Sequence, residues 1–127
     1  MSVEPAKSLT GRRSIEIAVR TAHIAAMALL AGGHHFGAAP PSLRVWGVLT
    51  AATGAVLLAG EASHSRHWVY QARGVISLVH VGVLALIALA PSFARAAVVA
   101  AMIIGSVGSH LPRGVRKWSL RHRQPMD

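Results

Sequence analysis

Residues 16–34, EIAVRTAHIAAMALLAGGH, constrain the fold more than any other stretch of the chain. The segment is largely apolar, yet Glu16, Arg20, His23, Met27, Leu30 and His34 recur at alternating steps of four and three residues. Those steps bring all six onto one face of an α-helix. An apolar helix with a single polar stripe suits a membrane bundle, in which the stripe faces neighbouring helices and the remaining surface faces lipid. About 20 such residues cross the hydrocarbon core, and the chain holds four runs of that kind.

The predicted fold is therefore all-α, an integral membrane four-helix bundle. Its helices are expected over about residues 14–35, 42–64, 68–90 and 93–111. Residues 1–13 read as a cytoplasmic N-terminal tail, 14–112 as the four-helix domain and 113–127 as a basic cytoplasmic C-terminal tail. Gly32, Gly33, Gly37, Pro40 and Pro41 punctuate the end of the first helix, and Ser42 is the expected cap of the second. On that second helix Thr50, Gly54, Leu57, Glu61 and His64 share one face. Trp46, Trp68, Tyr70 and Trp118 are placed at the membrane surface. In the fourth helix, Gly105 and Ser109 form a small-x-x-x-small pair suited to close backbone approach.

Composition agrees. A chain of 127 residues that is 53% hydrophobic and 13% charged is too apolar for an ordinary soluble domain. The net charge of +9 would by itself suit nucleic acid. The bases, however, sit at the chain ends and between the apolar runs, as the positive-inside rule requires, and no nucleic-acid partner is expected. Of the 13 Lys and Arg, only Arg44 and Arg95 fall in the turns that become outer when the N-terminus is inside. Both termini are therefore expected in the cytoplasm. The absence of Cys excludes disulfides and thiolate-ligated clusters, so any metal or cofactor must be held by His, Met, Glu or oxygen ligands.

The eight histidines fall into groups. At about 1.5 Å per residue, His23 and His80 lie at similar depth on two helices that run the same way. Two imidazoles at one level on facing helices can ligate a b-type haem from both sides. Arg20 and Arg73 share their faces on the cytoplasmic side and suit anionic propionates. His64 and His110 are the alternate ligands. A second group, Glu61, His64, His67 and His110, lies near the cytoplasmic face. Glu61 and His64 have the i, i+3 spacing that bundles use for carboxylate-bridged metals, but the further carboxylates of a dinuclear site are missing. A single divalent ion on Glu61, His64 and His110 is the second reading. Against it stands a pairing of Glu61 with Arg113 or Arg73 that seals the helix ends. His34, with His35, lies at the outer end of the first helix, roughly 16 Å beyond His23. It is a candidate for a second haem or metal, or for accepting protons or quinol. His122 is expected to be solvated. Each histidine also has a plain structural reading, as a side chain that satisfies a backbone or Ser hydrogen bond.

Arg20-Thr21-Ala22-His23, at the head of an apolar helix ending in Gly32-Gly33, resembles the first helix of bacterial membrane-bound b-type cytochromes. Those are the four-helix cytochrome b subunits of hydrogenases and formate dehydrogenases and the b561-like group. The resemblance implies haem between the helices, His23 as an axial ligand, Arg20 as a nearby polar partner and electron transfer between quinones and redox partners. It departs from the pattern at Ile24, where an aromatic often follows that His. The leading expectation is a haem b-binding electron-transfer protein or small redox-complex subunit of the bacterial inner membrane, rather than a stand-alone enzyme. The lipid bilayer, quinone and other redox subunits are its expected partners, and small-residue helix faces permit a homo-oligomer. The rivals are a His/Glu-based metal-ion binding or transport protein, with His34 and His67 among its ligands, and a non-catalytic membrane anchor or assembly subunit.

Overall fold

Alanine- and leucine-rich runs without internal proline give the chain four long helices. The computed structural model describes residues 11–125. Of the tail expected over 1–13, residues 1–10, with Lys7, lie outside the described residues, as do the last two positions, while residues 11–13 form the first turn of α1. The elements are α1 (Gly11–Phe36), α2 (Pro40–Ser63), α3 (Ala72–Leu89), α4 (Ala94–His110) and a short α5 (Arg113–Arg116). Two short strands follow, β1 (Trp118–Ser119) and β2 (Gln124–Pro125), and single 3-10 turns at Trp68–Tyr70 and Pro91–Phe93 lead into α3 and α4. The architecture is all-helical apart from that ribbon. The four long helices, the last counted from Pro91, are long and apolar enough to cross a membrane.

Local chemistry sets the helix ends. Gly37 takes φ +72° just beyond α1, and the Ala38 N–H reaches back to the Gly33 carbonyl at 2.8 Å, a Schellman closure that glycine enables. Pro40 and Pro41 occupy the first turn of α2 behind an N-cap at Ala39. Proline fits there because the first helical N–H groups have no intrahelical partner. Ser42 is therefore inside the helix, not its cap. α3 begins at Ala72, later than expected, because Gln71 is extended (ψ 150°) after the 3-10 turn.

α1 pairs with α2 and α3 with α4 as antiparallel hairpins, and the hairpins join chiefly through α1 against α4. Ala26, Met27 and Leu30 of α1 are buried with Ala94, Ala97, Val98 and Ala101 of α4. The small α4 side chains permit this close approach. Outward-facing Ile24, Val48, Val56, Ile103 and Val107 are exposed. The α1 stripe is only partly interior. Met27 and Leu30 are buried and His23 and His34 half-buried, whereas Glu16 and Arg20 are exposed. Glu16 is held by Arg12 one turn earlier, at 3.3 Å, in a surface ion pair that contributes little stability.

At the end of the bundle that carries both termini, residues 113–125 fold back onto the link 65–71. Trp118 and Ser119 pair antiparallel with Pro125 and Gln124, closed by a turn in which Arg123 takes φ +52°. Ser119 bridges Gln71, and both are fully buried. The Leu120 N–H donates to the Tyr70 carbonyl at 2.8 Å. Trp68 is buried, and its indole N–H donates to Glu61 at 3.3 Å. Gly74 is also buried there, and a Cβ on it would overlap the Trp68 carbonyl.

Gly74→Ala should therefore destabilise the protein. Overpacking of this kind costs about 1–3 kcal/mol, which for a chain of this size lowers the apparent Tm by roughly 3–10 °C. Thermal melting in detergent measures it, and an unchanged Tm would contradict the contact.

Candidate functional site

All four long helices converge on one pair of side chains. His23 from α1 and His80 from α3 meet with ring centroids 6.2 Å apart and planes tilted by 58°. Each ring is anchored to the partner helix of its own hairpin. His23 Nδ1 lies 3.1 Å from the Thr50 carbonyl and 3.0 Å from Thr53 Oγ1 on α2. The Thr53 hydroxyl donates to the Leu49 carbonyl at 2.6 Å, so its oxygen can only accept from the imidazole. Both contacts of His23 are thus acceptors, and Nδ1 carries the proton. His80 Nδ1 lies 2.8 Å from the Ala101 carbonyl on α4, which assigns the same tautomer. A neutral imidazole protonated at Nδ1 presents its lone pair at Nε2. Ligating histidines are oriented in this way, by donating the other ring N–H to a carbonyl.

Glycines make the room. A Cβ on Gly54 of α2 would stand 3.0 Å from Cε1 of His23, and one on Gly105 of α4 would stand 3.3 Å from Cε1 of His80. Gly105 thus accommodates an imidazole more than a neighbouring backbone. Ser109, its expected partner in close packing, is exposed and bonds back to the Ser106 carbonyl. Thr50, on the same α2 face, is 2% exposed, and its Oγ1 has no hydrogen-bond partner among the described residues. An unmade hydrogen bond of this kind costs about 1–3 kcal/mol.

The other candidates lie elsewhere. Arg20 is exposed one turn before His23. Arg73 is half-buried, and its Nε donates to Gln71 Oε1 at 2.6 Å. Glu61 accepts from Trp68 and forms no ion pair with Arg73 or Arg113. His64 donates from Nδ1 to the Gly60 carbonyl at 2.6 Å, while its Nε2 lies 3.3 Å from Arg12 Nη2. His110 turns back to the Ser106 carbonyl of its own helix at 2.8 Å. His67 meets the exposed His122 edge-to-face at 5.9 Å. At the far end the His34 carbonyl accepts from Arg95 at 3.1 Å. No three His, Asp or Glu side chains converge to hold a metal ion among the described residues. The set Glu61, His64, His67, His110 and His34 is not assembled, because local partners engage its near-end members and His34 lies at the opposite end.

The spacing of Thr50 and Gly54 marked a shared face but not their role against His23. The Ala101 carbonyl leaves no side-chain signal at all. No family profile, curated protein or solved structure matches this chain significantly, so its function must be read from the geometry of the histidine pair.

The hydrogen bonds fix an expectation for the cofactor-free protein. Nitrogen-15 NMR of histidine-labelled protein should show His23 and His80 as Nδ1-protonated tautomers at neutral pH. An Nε2-protonated ring at either position would contradict the assigned bonds.

Proposed function

We propose that the chain is an integral membrane protein that binds one b-type haem between His23 and His80 and carries electrons, alone or as a small subunit of a redox complex. The observation that carries this reading is the ring pair 6.2 Å apart, with both Nδ1 atoms bonded to the backbone of neighbouring helices. Two imidazole nitrogens each about 2 Å from one metal ion put their ring centroids roughly 6 Å apart. The observed separation supports a reading in which one iron takes both imidazoles. Gly54, Ala101 and Gly105 on the flanking helices place little side-chain bulk beside the pair. The unpartnered Thr50 hydroxyl adds a polar group at the same level.

When bound, such a haem supplies reversible one-electron chemistry, and two protein ligands direct it to electron transfer and away from oxygen activation. The chain's own residues do the rest. The Thr50, Thr53 and Ala101 oxygens hold the imidazoles in the ligating tautomer. Arg20 and Arg73 would hold the propionates, Arg73 by exchanging Gln71 for one. The placement of the basic residues supports a bacterial inner-membrane location with both termini cytoplasmic. Membrane quinone and other redox subunits are the exchange partners this reading calls for.

Haem titration of the detergent-purified protein tests the assignment. The wild type should bind one haem. His23→Ala and His80→Ala should lose most of it, while His64→Ala and His110→Ala retain it. Thr53→Val should weaken binding by about tenfold through loss of the orienting contact. Full haem retention in both His23→Ala and His80→Ala, with helical content preserved, would overturn the reading.

A further inference from the structure

We infer that the folded C-terminal segment and the link it covers form a preshaped docking surface for anionic phospholipid headgroups. The inference rests on the membrane placement proposed above but not on haem. The chain has no acidic residue from 62 to 126. Within that span Arg66, Arg113, Arg116, Arg121 and Arg123 gather at one end of the bundle, all but Arg116 exposed.

Tertiary contacts hold these bases in place. Buried Ser119 docks on buried Gln71, the Leu120 N–H bonds the Tyr70 carbonyl, and the Arg121 guanidinium lies 5.1 Å from the Tyr70 ring centroid. The link and the tail therefore share one surface. Large apolar side chains stand among the bases: Leu120 is 59% exposed, Val115 49% and Trp118 43%.

The combination selects the partner. Net positive charge at the mouth of apolar helices attracts anionic lipid. Exposed Trp, Leu and Val beside the bases suit the boundary between headgroups and acyl chains. A nucleic acid or an acidic soluble protein would use the charge but would leave those apolar side chains in water. Because the ribbon is already folded, little chain ordering opposes binding.

The test uses the full-length protein in nanodiscs of phosphatidylcholine alone or with added phosphatidylglycerol, and native mass spectrometry of the lipids retained. Phosphatidylglycerol should be enriched around the wild type by about fivefold over its bulk fraction, the preference that one base at the surface gives the lipid beside it. The enrichment should collapse in the quadruple Arg113→Gln, Arg116→Gln, Arg121→Gln, Arg123→Gln variant and persist in Arg44→Gln, Arg95→Gln at the opposite end. High salt during reconstitution should also remove it from the wild type, since roughly 1 M salt shortens screening to about 3 Å. That measurement decides the matter even if the quadruple variant misfolds. No enrichment, or enrichment indifferent to salt, would overturn the inference, as would retention of acidic protein or nucleic acid in place of lipid. Recovery of the chain from the soluble fraction instead would indicate failure of the membrane placement itself.

Discussion

Two imidazole-to-carbonyl hydrogen bonds, His23 to Thr50 and His80 to Ala101, determine how the rest of the bundle is arranged. Each ties a histidine to the other helix of its hairpin, and the two rings then meet across the middle. In a bilayer such helices would gain little from hydrophobic burial against one another, leaving packing of small residues and buried polar bonds to carry their association. Gly54 and Gly105 belong to the same arrangement, because the rings occupy the space where their side chains would be. A larger residue at either position displaces an imidazole and, with it, a bond that holds a hairpin.

Polarity is graded along the bundle. The middle is apolar apart from the histidines and threonines. The end with both termini is closed by a buried polar lock, in which Gln71 is engaged by Arg73 and bridged to Ser119. That lock fixes the start of α3, the helix that carries His80, and it presents the basic surface outward. The far end is joined more lightly, through Arg95 and the His34 carbonyl. One polar lock thus serves both the placement of the helix that carries His80 and the shaping of the charged face.

Much of the fold was legible in the sequence because length and hydropathy are additive properties. Four apolar runs of membrane-spanning length correspond to four helices, with boundaries shifted by a few residues where Pro40 and Pro41 start a helix instead of preceding one. The common depth of His23 and His80 followed from helical rise. Other features depend on contacts between distant segments. The tail over 113–125 reads locally as a basic solvated run, yet Ser119 is wholly buried because Gln71 meets it. Trp68 looks like an interfacial aromatic and is instead buried where Glu61 can accept its indole proton. The orienting carbonyl of Ala101 belongs to the backbone and has no sequence signature.

The most direct measurement is a reduced-minus-oxidised optical spectrum of the protein isolated from membranes in mild detergent with haem supplied during expression. Sharp bands of a low-spin, six-coordinate b-type haem, at one haem per chain, are the expected result for iron held between His23 and His80. A flat spectrum from protein of intact helical content would contradict the central claim, and a high-spin, five-coordinate spectrum would contradict the pairing of the two histidines.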